Sequence, residues 1–324
     1  MLRYTLRRLA WLPIILIAVS SISFFLLRAL PGQDPAAAIA GQGATPEQLD
    51  RIRADLGLDR PVLVQYTDWV KDLLRGDFGH EYRSSSSSGS KSGFPIREQF
   101  IHRFPPSFQI VLMGLSISVL FGVSFGIISA MYRNSPIDYF VRFFAVLGAS
   151  VPEFFLLTLM ITIPLYLWQY SMPVGGYVPI YEDPYNNLRL MLPAALIIGI
   201  GGSAGLMRLT RTTMLEVLRS DYIRTAHSKG LRTRTVIVAH GLRNAGTPIV
   251  TAVGTAFVAV FGGSVIVETV LSIQGLGQWF FMSALIRDLP VVQFLTLYTA
   301  FVVVLVNLAV DLSYGYIDPR VRYS

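Results

Sequence analysis

Apolar residues fall into six long stretches, at 9–27, 104–132, 143–167, 190–207, 244–267 and 289–310. Only the third carries a charge, at Glu153. A helix crossing a hydrocarbon core of ~30 Å needs about 20 such residues, so each stretch predicts a membrane-spanning helix. Six of them predict an all-α, polytopic membrane protein. Between the first two stretches, 31–103 turns polar. There Leu49, Ile52 and Leu56 recur at helical spacing after Pro46-Glu47-Gln48, and Gly57 supplies a stop. A second amphipathic helix is expected from 61 to about 74, with Val62, Leu63, Tyr66, Trp69, Val70 and Leu73 inward and Asp68, Lys71, Asp72 and Arg75 outward. The two form a small extracytoplasmic helical segment, either a cap on the membrane surface or a docking surface. The Ser-rich run 84–93 has too little apolar surface to offset ordering entropy and reads as a linker.

Short-loop cations mark the cytoplasmic side of a membrane protein. Arg3, Arg7 and Arg8, then Arg133 and Arg142, then Arg208, Arg211, Arg219, Arg224, Lys229, Arg232, Arg234 and Arg243, and finally Arg320 and Arg322 all share one face if both termini are inside. The opposite short loops hold only Arg189 and Arg287. The first stretch also follows basic residues and precedes Ala38-Ile39-Ala40, which resembles a cleavage site. Its nineteen uncharged residues exceed the ~7–15 of a signal h-region, so an uncleaved span is expected. The expected organisation is 1–30 as the cytoplasmic end and first span, 31–103 as the outer segment, and 104–324 as a five-helix core with a cytoplasmic loop at 216–246.

Composition agrees. The 324 residues are 52% hydrophobic and 15% charged, against about 25% charged in soluble domains, with a mean hydropathy of +0.52. The absence of cysteine excludes disulfides, thiolate metal sites and thiol catalysis, and four histidines leave little for a His-rich metal site. The net charge of +7 resides between the apolar runs, which points to the membrane surface and not to nucleic acid.

Within the spans, Gly122 and Gly126, and likewise Gly201 and Gly205, are four apart and should allow close helix approach. Gly201-Gly202-Ser203-Ala204-Gly205 satisfies a serine-hydrolase pattern, but that elbow needs a strand-to-helix turn, whereas these residues belong to an apolar helix. His227 and His240, the conceivable bases, sit in the basic loop. Charges inside spans are costly and are paired or functional. Glu153 follows Val151-Pro152, where the proline should distort the helix, and is the candidate for the translocation path; ion pairing is the structural alternative. Glu268 and Asp311 fall near span ends, where pairing or exposure suffices.

The loop 216–246 is long enough to fold. Ser220 suits an N-cap, Asp221 the first turn of a short helix, and Lys229 its C-terminal end; Gly230 suits a left-handed stop. Tyr222, Ile223 and Ala226 make an apolar strip. Leu231, Val238 and Leu242 form a second periodic set leading into the next span. Two short helices about a glycine hinge, dotted with cations, could hold anionic lipid headgroups or act as a protein-docking knob.

Arg224-Thr225-Ala226-His227-Ser228-Lys229-Gly230, then nine residues, then His240-Gly241-Leu242-Arg243-Asn244 resembles the EAA loop of ABC-importer permeases in its peptide-importer form. Gly57-Leu58-Asp59-Arg60-Pro61 with Gln65-Tyr66, Gly76-Asp77-Phe78-Gly79, the run from Glu268 to Gly277, Asn307, Asp311 and Asp318-Pro319-Arg320-Val321-Arg322 extend the resemblance along the chain, to the B-type permease subunit of dipeptide and oligopeptide importers. His227 stands where the family usually has arginine, and Gln274 where it usually has proline.

The resemblance implies a type I ABC importer permease fold in the cell inner membrane. Its partners would be a second permease subunit of the related C type, two ABC ATPase subunits, an extracytoplasmic substrate-binding protein and membrane lipid, with peptides as cargo. It also implies that Asp221, Arg224, Thr225, Ala226, His227, Lys229 and Gly230, with His240, Leu242, Arg243 and Asn244, couple the chain to an ATPase. The sequence has no Gly-x-x-x-x-Gly-Lys-Ser/Thr, so no cofactor is expected in this chain, and ATP and Mg belong on the partners. A secondary transporter would show internal repeats and more membrane-embedded charge. Glutathione, nickel complexes and oligosaccharides are the alternative cargoes within the family.

Overall fold

The computed structural model describes residues 2–29, 35–40, 44–82 and 93–317. The expectations placed on 83–92 and 318–324, which include most of the Ser-rich run as well as Arg320 and Arg322, lie outside the described residues. The helices are α1 (Leu2–Ala29), α2 (Pro35–Ala40), α3 (Pro46–Leu56), α4 (Val62–Leu74), α5 (Ile96–Met131), α6 (Pro136–Ser150), α7 (Glu153–Trp168), α8 (Pro184–Leu218), α9 (Asp221–Ser228), α10 (Thr233–Thr235), α11 (Gly246–Val270), α12 (Leu276–Leu285) and α13 (Leu289–Ile317). A seven-residue π-helical stretch, Val236–Leu242, follows α10. Among the described residues the only β pairing is an isolated bridge between His80 and Pro95.

Among the described residues five helices are long and apolar enough to cross a membrane: α1, α5, α8, α11 and α13. The third expected span is instead a broken pair, α6 and α7, bent by 93°. Pro152 explains the break. Its ring disfavours helical backbone at the preceding residue, and Val151 is accordingly extended (φ −92°, ψ 122°).

The chain forms two compact units. One comprises 6–105 with 274–304, the other chiefly 106–273 with 305–324. In the first unit, α3 starts with a capping box in which Thr45 accepts from the Gln48 amide while the Gln48 side chain accepts from the Thr45 amide. It stops at Gly57, whose φ of 66° is left-handed. α4 differs from its sequence reading. Tyr66 and Trp69 pack against Phe24 of α1, with ring centroids 5.2 and 5.7 Å away, and the Tyr66 hydroxyl meets Ser20 and Ser21. Val62 and Leu63, expected inward, are exposed, because an aromatic seam covers only one edge of the helix. A second cluster joins Ile96, Leu276, Trp279, Val291, Phe294 and Leu295. Beside it the Tyr82 amide donates to Asp288 (3.0 Å), and burial pushes the Tyr82 hydroxyl up to about 12.

In the second unit α8 is the central helix, packed against α11, α6 and α7. Its core joins Ile110, Leu157, Met191, Ala194, Ile198, Val260, Val267 and Leu271. Close approach to α5 depends on glycine. A Cβ on Gly126 would lie 2.6 Å from the Thr210 Cβ and 2.9 Å from the Met207 carbonyl, and one on Gly122 would lie 2.9 Å from Leu206. Gly205 differs from its expected role. It is exposed, and a Cβ there would meet nothing within 4 Å, because its face of α8 turns away from the other helices of the unit. Gly126→Leu should therefore destabilise the purified chain by about 1–3 kcal/mol through overpacking. Gly205→Ala should leave the unfolding midpoint in detergent unchanged; equal midpoints for the two variants would remove the close-contact account.

Candidate functional site: the arginine-rich elbow and its lever

α8 has 35 residues and so measures about 50 Å, well beyond a bilayer core. It starts at Asp183, whose side chain accepts from the Asn186 amide. That N–H holds the Asp183 carboxyl below the usual carboxylate range. Near this end Asn187, fully buried, donates to Gln109 (3.0 Å) and to the Val178 carbonyl (2.8 Å), while the Tyr177 hydroxyl donates to Gln109 (3.1 Å). Burial raises the Tyr177 hydroxyl above its ordinary value, with Tyr181 and Glu182 adding to the effect, so it remains a donor. Tyr166 and Trp168 at the end of α7 and Tyr181 and Tyr185 around the start of α8 are exposed, as in an interfacial aromatic belt.

At its other end α8 runs on past Arg208, which the sequence placed in a loop, as far as Leu218. Two residues separate it from α9. Ser220 occupies the N-cap position with extended backbone, but its hydroxyl donates back to the Val217 carbonyl (2.6 Å) and makes no cap bond. Ile223 and Ala226 are buried against Val236 and Leu218, so α9 is anchored to the foot of α8 by one narrow stripe. Tyr222, expected in that stripe, is 44% exposed. Asp221, Arg224, Thr225, His227, Ser228 and Lys229 are exposed. Ala226 differs from the other proposed contacts in facing inward. Gly230 has φ +76° with open space around it, and its amide donates to the His227 carbonyl (2.9 Å).

The return segment is wound as a π-helix, whose wider turn carries one more residue than an α turn. His240 and Leu242 are half-buried within it; Arg243 and Asn244 beyond it are exposed. Gly241 is buried, with its Cβ position 3.3 Å from Met214 of α8. This close seat was missed in the sequence, although the glycine stands inside the quoted motif.

The sequence reading also missed a clamp. Asp138, fully buried near the start of α6, accepts from Arg211 Nε and a terminal Arg211 nitrogen, each at 2.9 Å. Ser129 Oγ and the Asn134 amide donate to the same carboxylate, and Arg142 Nε lies 3.4 Å from it. A bidentate pair of this kind adds geometric constraint as well as energy. It fixes α6 to α8 one helical stretch above the elbow. Asp138 and Arg211 are 73 residues apart, a separation that no spacing pattern could reveal.

Elsewhere in this unit, Ser203 donates to the Ile200 carbonyl (2.7 Å) inside a continuous helix, which removes the hydrolase reading. Glu268 is fully buried and accepts from Ser107 (2.7 Å). Glu153 is half-buried beside Gly201 and Gly263.

Residues 122–323 match the family described as binding-protein-dependent transport system inner membrane component, and residues 1–106 match the N-terminal part of such membrane components. A protein of Brucella abortus named as a peptide transport system permease is 37% identical over 98% of both chains. The dipeptide transport system permease protein DppB of Alkalihalophilus pseudofirmus is 33% identical over the whole of both. In fold, the chain is similar to a chain of the inward-facing MetNI methionine ABC transporter, with a TM-score of 0.55 at 14% identity, covering 70% of this chain and all of that one. The chain therefore belongs to the family of inner membrane components of binding-protein-dependent transport systems.

Proposed function

We propose that this chain is one of two permease subunits of an ATP-driven peptide importer, with both termini in the cytoplasm and α9 seated in an ATPase partner. The peptide cargo is carried over from the names of the relatives. The second permease would be a related chain, an extracytoplasmic binding protein would deliver the cargo, and ATP and Mg would be held by the two ATPases. As a permease subunit the chain has no ATPase site of its own; hydrolysis falls to partner subunits.

The observation that supports this reading best is the elbow itself. α9 presents an exposed polar and cationic face, is tied down by Ile223 and Ala226, and follows α8 within two residues. A groove that moves α9 would move α8 as a rigid body, and the Asp138–Arg211 clamp would carry α6 with it. Asp221, Arg224, Thr225, His227 and Lys229 supply the outer contacts, with Arg243 and Asn244 beside them. Ala226, His240 and Leu242 support the elbow from within, and Gly230 sets its angle. Glu153 belongs to the translocation path.

The chain contains no cysteine, so Thr225→Cys gives a single reactive site without further changes. A short photocrosslinker attached to this thiol in the assembled complex should join this position to the ATPase, with a yield that changes when ATP is added. Crosslinks to lipid alone would overturn the docking assignment.

A further inference from the structure

We propose that the Glu153 carboxylate is a recognition point for the protonated amino group of the cargo during passage. This rests on the peptide reading above. α7 starts with Glu153 directly after the Val151-Pro152 break, and the 93° turn there brings its side chain against two neighbouring helices. A Cβ on Gly201 of α8 would lie 3.2 Å from Oε1, and a Cβ on Gly263 of α11 would lie 2.5 Å from Oε2. A side chain at 263 would force Oε2 to shift and one at 201 would crowd Oε1, so the carboxylate rests in a notch between two glycines. Both notches lie in uncharged stretches, Gly201 between Arg189 and Arg208, and Gly263 between Arg243 and Glu268.

Two other acids of this unit that approach the spans have partners of their own. Asp138 has Arg211, Ser129 and the Asn134 amide, and Glu268 has Ser107. Glu153 has neither a hydrogen-bond nor an ion-pair partner among the described residues, and it is half-buried, so one side of it is open. A carboxylate inside a membrane span without a counter-charge is costly, and residues of this kind mark substrate pathways. The notch offers glycine backbone and an apolar neighbour, Ile198 Cδ1, 3.2 Å from the Gly263 Cβ position, and the carboxylate accepts no hydrogen bond there among the described residues. Its complement is a compact cation that carries its own N–H donors. A notch lined by glycine makes no demand on a side chain, which suits cargo whose side chains vary while the leading ammonium stays constant.

The test compares dialanine with N-acetyl-dialanine in vesicles containing the assembled transporter and its delivering protein, each rate divided by the occupancy of that protein. The wild type should carry the free amine about tenfold faster, the ratio worth ~1.4 kcal/mol. Glu153→Gln should narrow the ratio to within about twofold. Gly263→Ala, which keeps the charge but pushes the carboxylate out of its notch, should narrow it likewise and covers the case in which the first variant fails to assemble. An unchanged ratio in the variants overturns the site while leaving the peptide function standing. A transporter that carries no peptide of either form overturns the cargo assignment and the site together. Loss of the second permease from the complex in Glu153→Gln, with the ratio kept in Gly263→Ala, overturns the site in favour of an ion pair between subunits.

Discussion

Arg211→Ala is expected to destabilise the chain by about 3–5 kcal/mol, because it leaves Asp138 charged, fully buried and without its bidentate partner. Ser129 and the Asn134 amide would still donate, yet neither supplies a counter-charge, and Arg142 reaches only 3.4 Å from one edge. Replacing both partners at once with apolar residues, Asp138→Leu with Arg211→Met, should recover most of that loss, since the desolvation penalty goes with the charges. The measurement is a double-mutant cycle on the unfolding midpoint in detergent. Losses that add across the two sites would mean that the pair contributes no coupling. The apolar double variant separates stability from transmission: it should insert and persist, but with α6 no longer held by a fork of fixed geometry its transport per ATP hydrolysed should fall.

Gly230→Pro is expected to abolish cargo-stimulated ATP hydrolysis while leaving the chain inserted in the membrane. Proline holds φ near −65°, against +76° at this position, and removes the amide that donates to His227. The cost of about 3 kcal/mol or more falls on a short surface helix anchored by only two buried residues, so the elbow should unravel while the spans remain. Gly230→Asn, a residue that tolerates left-handed backbone, should keep most of the stimulation. Full stimulation in the proline variant would mean that the elbow angle does not matter.

Much of the architecture was legible because membrane spans declare themselves by length and lack of charge, and because Gly57, Gly230 and Pro152 act on their immediate neighbours. A distortion at Pro152 followed from proline chemistry alone, although the division of the span into two helices bent by 93° did not. The clamp was invisible for the opposite reason. Arg211 reads as one more cation in a basic loop until the helix is seen to run on to Leu218, and nothing in the sequence marks Asp138, which the structure puts in the first turn of α6. Val62 and Leu63 were misplaced because periodicity tells which residues share a face, and not how much of that face a neighbour covers. The inward turn of Ala226 within a stretch of otherwise exposed contacts is a matter of helix phase, while the motif resemblance treats its residues alike.

The length of α8, from Pro184 to Leu218, has a thermodynamic corollary. Under the proposed docking of α9, a helix that moves as one body would make arrival of cargo and occupancy of the partner's nucleotide site linked equilibria. Whatever factor separates nucleotide affinity with and without cargo must then reappear, equal in size, in cargo affinity with and without nucleotide.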